Sequence, residues 1–437
     1  MTRSLPAIAD HRRLRFGVLF VLYLAQGVPY GLLLLALPAW LVSGGASAVQ
    51  VGLYVSAASL PWTLKFMHGF FMDRYTYLPM GRRRPWLIGA QLVMVLGLLV
   101  TAALEPAATD VELLAAIGFA VMLSTTVQDV AVDGMAVDLL RDGERATANG
   151  LMFGAQSVGI AAGGAGSGWL IAQTGGAAAA MLAVAAFIGL AVAMIIVLRE
   201  RTGERLLPWS AGEASATSLA RQAGAWIEIL RRTFRTLLHG RSLLALLGIV
   251  LAGSCWGFYL ALAPLISASE TGWDTARYSS MSGLGSLVSG IAAIAVFGLL
   301  IERFGTRAGL MVATGLMGAV SIAGALLADS WSNEAVMVGY IMALNCLYVM
   351  ILVGFAALAM RLCDPTVSAT QFGLYMAAGN LGASLAAAAF GPIMAVGGYA
   401  GVLWVSALVL FASCAIFARV GNAPRPTTAM PERAIVD

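Results

Sequence analysis

Residues 69–83 read GFFMDRYTYLPMGRR, and residues 298–307 read GLLIERFGTR, which keeps the order Gly, acid, Arg, Gly, Arg in a shorter form. The first glycines of the two stretches are 229 residues apart and the second glycines 224, so the first copy carries a five-residue insertion. A second landmark, the pair Gly150 and Gly159, recurs 223 residues later. The chain is therefore predicted to consist of two related halves.

Both copies of this pattern lie between long apolar segments. Of the 437 residues, 60% are apolar and only 11% are charged, whereas about 25% are charged in soluble proteins. This composition excludes a soluble enzyme and a disordered chain, and the long apolar runs exclude an outer-membrane barrel, whose strands alternate. The four cysteines are too scattered for a disulfide scaffold. We predict twelve spanning helices, at about residues 16–41, 51–72, 86–104, 113–137, 146–172, 177–198, 243–268, 278–301, 308–328, 335–360, 369–395 and 399–418.

The positive charges alternate with these spans. Of the 26 Lys and Arg residues, 24 fall in the two tails and the even-numbered loops, one (Arg277) in the odd-numbered loops and one (Lys65) inside a span. The positive-inside rule then predicts cytoplasmic termini, and the short loops fit a bacterial inner membrane. Because topology accounts for the basic charge, we expect a lipid bilayer and no nucleic acid as partner. The first apolar run, about 26 residues long, is longer than the apolar core of a signal peptide, about 7–15 residues. We therefore expect a spanning helix rather than a cleaved signal peptide.

The chain is expected to fold as four regions. These are an N-terminal six-helix bundle at 1–198, a cytoplasmic linker at 199–242, a C-terminal six-helix bundle at 243–420 and a polar cytoplasmic tail at 421–437. In the linker, the stretch from Ser218 to Leu238 is predicted to form one amphipathic helix on the membrane surface. It would act as a tether or, alternatively, as a regulatory, lipid-sensing element.

The repeated loop has a physical rationale as a gate. Gly69 and Gly298 permit close helix contact, and Asp73 can lie at the N-terminus of a helix in the other half, where the helix dipole favours an anion. Breaking that contact would open a cytoplasmic gate; the alternative is that these residues only maintain topology. The candidate gating residues are Gly69, Asp73, Arg74, Gly81, Arg82, Arg83, Glu302, Arg303 and Arg307.

The repeated loop resembles the cytoplasmic signature of the major facilitator superfamily. Three further stretches, LYLAQGVPYGLL at 22–33, Lys65-Phe66 ahead of Asp73-Arg74, and Gln128-Asp129-x3-Asp133, resemble the muropeptide permeases and the related acetyl-coenzyme A transporters and siderophore importers. His68 stands where those relatives tend to carry Trp. The resemblance implies an all-α membrane protein with the major facilitator fold: twelve transmembrane helices in two pseudo-symmetric halves that work by alternating access.

Lys65 is the only lysine and lies eight residues before Asp73, which places it about 12 Å below the cytoplasmic surface. An ion at that depth costs several kcal/mol unless it is paired or hydrated, so we predict that Lys65 faces a substrate cavity; the alternative is snorkelling to the surface. Asp129 and Asp133 share one helix face and repel each other, so a substrate that binds Lys65 would free one of them to take a proton. A static Lys–Asp pair is the other interpretation.

Further polar and aromatic side chains lie where this superfamily lines its cavity, and each is equally compatible with helix-to-helix hydrogen bonding. They are Gln26, Tyr30, Trp62, Gln128, Asn149, Gln156, Trp256, Tyr259, Asn345, Tyr348, Gln371 and Tyr375.

Together these features predict a proton-coupled secondary transporter of the inner membrane for a mid-sized anionic solute. The resemblance implies that the solute is a muropeptide or a siderophore and that it moves inward. The alternatives are an exporter, an acetyl-coenzyme A transporter, or a non-transporting assembly factor for pigment or lipid. An enzyme is not expected, since the three histidines lack metal-ligand spacing. Without a phosphate-binding loop, ATP-driven pumping is not expected either. We expect no cofactor, no metal and a monomer, with a small solute and protons as partners.

Overall fold

The computed structural model describes residues 7–273 and 275–420, so the predicted tail at 421–437 lies outside the described residues. Within those ranges the regular structure is helical, apart from one isolated parallel bridge between Ala7 and Arg199. This bridge joins the start of the chain to the start of the linker.

The N-terminal half contains eight α-helices. They are α1 (Arg12–Gly31), α2 (Leu37–Ser43), α3 (Ala48–Leu64), α4 (Phe66–Arg74), α5 (Arg84–Leu104), α6 (Val111–Leu139), α7 (Arg145–Thr174) and α8 (Ala178–Ile196). A π-helical turn, Leu32–Ala36, joins α1 to α2 into one long segment. The helix of the second span is interrupted at Lys65, which separates α3 from α4.

The linker and the C-terminal half contain eight more. They are α9 (Ala216–Ala220), α10 (Trp226–Leu237), α11 (Gly240–Glu270), α12 (Thr275–Ala292), α13 (Gly298–Phe304), α14 (Thr306–Leu326), α15 (Glu334–Leu362) and α16 (Ser368–Arg419). A π-helical turn, Ala293–Phe297, joins α12 to α13. In α16, Gly398 has φ 59° and ψ −158°, which is not helical, so α16 is two helices in sequence.

Nine helical segments in the described ranges are long and apolar enough to cross a membrane. The twelve predicted spans are consistent with these nine. One of the nine is α16, which the break at Gly398 divides into two. The other two predicted spans are the interrupted pair α3 and α4 and the glycine-rich α7, both of which are present as helices.

The two halves repeat their helix packing as well as their sequence. In the first half α1 packs along α7, and in the second half α11 packs along α16. A side chain at Gly27 would meet the Gln156 carbonyl at 2.3 Å, and one at Gly253 would meet the Gly379 carbonyl at 2.1 Å. Only glycine allows these backbones to approach so closely, so the packing requires glycine at Gly27 and Gly253.

The prediction of a single amphipathic helix from Ser218 to Leu238 is wrong. The short α9 ends at Ala220, residues 221–225 are not helical, and α10 begins at Trp226. Gly224 in this gap is a poor helix former, and the gap lets both flanks contact the bundle. Ala223 is buried together with Ile229, Val367 and the half-buried Phe70, so α10 contacts the bundle through Ile229, while Ile227 and Phe234 of the same helix stay exposed.

Candidate functional site

The two halves meet at one end of the bundle, which we call the arginine-rich end and define by the loops at 75–83, 140–144 and 363–367. Here α4 and α6 pack against α16, and α7 packs against α12, α13 and α15. The gating residues predicted from the sequence belong to this end.

Asp73, at the end of α4, lies against the N-terminus of α16 in the other half. Its Oδ2 atom accepts hydrogen bonds from the Thr370 backbone N–H at 2.9 Å and from the Thr370 hydroxyl at 2.8 Å. A carboxylate in this position satisfies a free helix N–H and is stabilised by the helix dipole. Gly69, one turn earlier, has room only for hydrogen, since a Cβ would lie 2.6 Å from the Thr370 Cα.

The second copy of the loop makes the equivalent contact, with the two halves of the protein exchanged. Glu302 accepts a hydrogen bond from the Thr147 backbone N–H at 3.1 Å, at the N-terminus of α7. A Cβ at Gly298 would lie 2.6 Å from the Thr147 Cα. Thr147 and Thr370 are 223 residues apart, which is the offset of the sequence repeat, so both halves close this end with an equivalent contact.

Two arginines link the first contact to a buried carboxylate. Arg83 Nη2 donates to Asp73 Oδ1 at 2.8 Å, and its Nε donates to Asp138 Oδ2 at 3.1 Å. Arg82 Nη1 lies 3.2 Å from Asp138 Oδ1 and donates to the Pro365 carbonyl at 2.7 Å. All these charged groups are buried, where paired charge-assisted hydrogen bonds are strong. The network therefore ties α4, α6 and the loop before α5 to the loop before α16.

The remaining predicted gating residues have local contacts. The Arg74 guanidinium lies 5.2 Å from the ring of Tyr75, and Arg303 lies 5.9 Å from the ring of Phe304. Arg307 is exposed at the start of α14. Gly81 has φ 100°, a conformation that favours glycine, and a Cβ there would lie 2.6 Å from the Glu200 carboxylate.

Replacing Asp73 with asparagine is expected to loosen the arginine-rich end. Cys363, in the adjoining loop, is a native reporter, because burial raises the pKa of its thiol and a buried neutral thiol reacts slowly. Losing one charge-assisted hydrogen bond weakens closure by about 1.5–3 kcal/mol, so Cys363 should react about tenfold faster or more. The rate of modification by N-ethylmaleimide, followed by peptide mass spectrometry, measures this.

The matched control is Asp142→Asn. Asp142 is a half-exposed acid of the same end that pairs with Arg145 at 2.7 Å. Unchanged Cys363 reactivity in both variants would contradict a closing role for Asp73.

Between the halves lies a cavity of about 830 Å³, and Lys65 lies on its wall. Lys65 Nζ donates to Asp129 Oδ2 at 2.9 Å, while Gln26 Nε2 donates to Asp129 Oδ1 at 2.6 Å. The ammonium also lies 5.4 Å from the ring of Trp62, a cation–π contact. Lys65 lies between α3 and α4, and its ion pair is buried rather than at the surface.

Asp133 lies on the same cavity wall one turn further along α6. The hydroxyl of Tyr23 donates to its Oδ1 atom. Within the described ranges no ion pair is recorded for Asp133, whereas Asp129 has Lys65. The two carboxylates therefore differ in environment: Asp129 is fixed by a cation and Asp133 by a neutral hydroxyl.

The C-terminal half contributes an aromatic wall. Trp256 and Tyr348 stack with ring centroids 4.3 Å apart and planes 3° from parallel. Met376, Asn380 and Ser384 line the cavity from α16. The cavity thus has a charged side from the first half and a flat aromatic and polar side from the second.

Eight of the predicted cavity residues line this cavity. They are Tyr30, Trp62, Lys65, Asp129, Asp133, Gln156, Trp256 and Tyr348. Gln26 lies directly behind them through its bond to Asp129.

The other predicted cavity residues pack elsewhere. Gln128 donates to the Leu22 carbonyl and Asn149 to the Arg145 carbonyl, both at 2.7 Å. Tyr259 accepts from Asn345 at 2.9 Å behind Trp256. Two more belong to the arginine-rich end: Gln371 accepts from the Asp364 backbone N–H at 2.6 Å, and Tyr375 donates to Ser242 at 2.7 Å.

Sequence reasoning missed several residues of this architecture. Asp138, which was not among the predicted site residues, is a buried partner of two arginines. Glu200 accepts the backbone N–H groups of residues 82–84. The equivalence of Thr147 and Thr370 could have been found from the 223-residue offset. Asn380 and Ser384 carry the one-turn spacing of a shared helix face.

Fold and site define a non-enzymatic, multi-pass membrane transporter with a central cavity between two related halves. A family model described as the Major Facilitator Superfamily matches residues 19–387. The chain belongs to the Major Facilitator Superfamily, as its sequence motifs predicted.

Known relatives agree with this assignment. The anhydromuropeptide permease of Escherichia coli strain K12 is 24% identical over 368 residues, which cover 84% of this chain and 72% of the permease. Among solved structures, the human organic anion transporter MFSD10 matches with TM-score 0.68 at 14% identity, covering 92% of this chain and 98% of that one. A bacterial homologue of the iron transporter ferroportin, in an outward-facing state with soaked iron, matches with TM-score 0.67 at 14% identity, covering 93% of this chain and 98% of that one. These structures confirm the predicted fold class.

Proposed function

We propose that this transporter carries a mid-sized anionic solute resembling an anhydromuropeptide inward across a bacterial inner membrane, together with protons. The observation that carries the proposal is the cluster of Lys65, Asp129 and Asp133 on the wall of the central cavity. Charged groups inside a membrane protein are costly and mark substrate or proton pathways.

The cavity suits a solute of this class. Its volume, about 830 Å³, is near the upper end of ordinary ligand pockets, about 300–1,000 Å³. Lys65 would bind a carboxylate of the solute, and the stacked rings of Trp256 and Tyr348 offer a flat apolar surface for a sugar ring. Asn380 and Ser384 supply hydrogen-bond partners for a peptide. The name of the permease relative supports the same class of solute.

Proton coupling follows from competition for Lys65. When the carboxylate of the solute binds Lys65, Asp129 loses its cation, and two neighbouring carboxylates on one helix face then repel each other. Protonation of Asp133 removes that repulsion. Solute and proton thus favour each other's binding, which is the thermodynamic requirement for symport.

Alternating access would use the arginine-rich end as the inner gate. In this proposal the termini and that end face the cytoplasm, as the distribution of Lys and Arg favours. The two helix-terminus contacts, of Asp73 and of Glu302, hold that end closed while solute enters from the other side. Their rupture would then release solute and proton inward.

Ligand-induced thermal stabilisation of the purified protein tests the solute class. The panel contains an anhydromuropeptide, ferric and iron-free siderophores, acetyl-coenzyme A and a tetrapyrrole. A ligand at about 100 times its dissociation constant adds about 2.7 kcal/mol of stability. We expect the anhydromuropeptide to raise the melting temperature of the wild type and not of Lys65→Met. Stabilisation by another compound alone, or by none, would contradict the proposed solute.

A further inference from the structure

A second cavity, of about 530 Å³, lies at the arginine-rich end, away from the central one. Its walls come from α10, from the start of α11, and from the end of α15 with the loop that follows. It therefore forms only because the linker rests on the C-terminal half. Its lining side chains are Arg231, Arg232, Arg235, Thr236, His239, Arg241, Ser242, Arg361, Leu362 and Asp364.

The charge of this cavity is strongly unbalanced. Five arginines line it, against one carboxylate, Asp364. That carboxylate lies 3.5 Å from Arg232, which also pairs with Glu228 at 2.6 Å. For the other four arginines, no ion pair is recorded in the part of the chain that the structure describes. Four cations therefore lie here with no ion-paired carboxylate among the described residues.

The backbone at the start of α11 adds to the positive electrostatic potential of this cavity. His239, the N-cap residue, makes no side-chain capping hydrogen bond. The first N–H groups of a helix have no partner within the helix and carry partial positive charge. This N-terminus is part of the cavity wall, beside Arg241 and Ser242.

We propose that this cavity binds an anion with two or more phosphate groups. Guanidinium groups bind phosphate through paired, charge-assisted hydrogen bonds, and the volume exceeds that of a single phosphate ion. A free di- or triphosphate and the headgroup of an acidic phospholipid share this chemistry. The site is separate from the solute and proton sites of the proposed transport cycle.

The bound anion would hold the linker on the bundle. Besides contacting the C-terminal half, α10 reaches the N-terminal half through Trp226, which packs edge-on against Phe71 at 5.6 Å and Tyr75 at 5.7 Å. An anion that neutralises Arg231 and Arg235 removes their mutual repulsion and fixes α10 across both halves.

The test measures anion binding to the purified full chain in two arms. In the first, inorganic pyrophosphate is titrated in detergent by calorimetry. In the second, the protein is placed in nanodiscs of phosphatidylcholine with or without cardiolipin, and bound cardiolipin is counted by mass spectrometry. The test variant is Arg231→Gln/Arg235→Gln. The charge-matched control is Arg13→Gln/Arg419→Gln, two exposed arginines that do not line this cavity.

In one of the two arms, we expect the affinity of the test variant for the anion to be about tenfold or more below that of the wild type. The control variant should bind as the wild type does, and added salt should weaken binding of the wild type. Loss of pyrophosphate binding identifies a free phosphate as ligand, and loss of cardiolipin identifies a lipid headgroup. Arg231→Lys/Arg235→Lys keeps the charge and should retain part of the affinity. This variant shows whether the loss in the test variant comes from the missing charge rather than from misfolding. No binding in either arm, or equal losses in test and control, would overturn the proposal. Lys65→Met should bind the anion as the wild type does, so a failure of the transport proposal can be distinguished from a failure of this one.

Discussion

Asp133→Asn is expected to abolish proton-driven accumulation of the solute while exchange of solute for solute continues. Asparagine keeps a hydrogen-bond partner for the Tyr23 hydroxyl but cannot gain or lose a proton. For one proton per solute, a gradient of about one pH unit supports about tenfold accumulation; the variant should reach no more than the outside concentration. The measurement is uptake of labelled solute into proteoliposomes, with and without an imposed pH gradient.

Exchange is the internal control in this experiment, because it needs binding and alternating access but no net proton movement. Asp329→Asn, an exposed carboxylate in a 3-10 turn distant in sequence from the cavity residues, is the matched variant and should accumulate normally. If Asp133→Asn accumulates solute as the wild type does, Asp133 does not carry the proton.

Lys65→Met is expected to weaken solute binding by about ten- to a hundredfold. The lost interaction is a charge-assisted hydrogen bond, which contributes about 1.5–3 kcal/mol. Methionine keeps most of the volume and the apolar stem, so the shape of the cavity changes little. The dissociation constant from equilibrium binding of labelled solute measures the effect.

Removing Lys65 also leaves Asp129 buried without its cation, which destabilises a protein in its own right. Lys65→Met/Asp129→Asn removes both charges and should fold stably while still binding poorly. Lys65→Arg keeps the charge and should bind better than either. Solute affinity equal to the wild type in the double variant would show that Lys65 only fixes helix packing.

Much of the architecture could be predicted from the sequence because it depends on local pattern. Apolar runs define helices, and the repeated loop defines two halves. The contact of Asp73 with a helix N-terminus in the other half also follows from the sequence pattern. An acidic side chain at the end of a spanning helix is stabilised by the free N–H groups at the N-terminus of another helix. The Thr147 contact of Glu302 obeys the same rule.

The composition of the cavity could not be predicted as fully. Periodicity assigns a residue to a helix face, but depth along the helix and tilt decide whether it reaches the cavity. Gln371 and Tyr375 share a face of α16 with cavity residues, yet they lie near its start and serve the arginine-rich end. The role of Asp138 could not be predicted for a similar reason, because its partners, Arg82 and Arg83, come from another loop.

The linker shows a further limit of sequence patterns. An amphipathic stretch predicts a helix with one apolar face but does not identify what covers that face. Here the break before Trp226 lets Ala223 and Ile229 pack against Val367 and Phe70, while Ile227 and Phe234 of α10 stay exposed. Tertiary contacts outweigh helix continuity at this break.

The central claim, that a proton moves with the solute through the Lys65–Asp129–Asp133 cluster, is tested most directly by the internal pH of proteoliposomes. A pH-sensitive dye is trapped inside, no gradient is imposed, and an anhydromuropeptide is added outside. Symport predicts prompt acidification of the interior that an ionophore dissipates and that is absent with Asp133→Asn. Uptake of the labelled solute with no change of internal pH would contradict proton coupling, and acidification that persists in Asp133→Asn would contradict the assigned proton site.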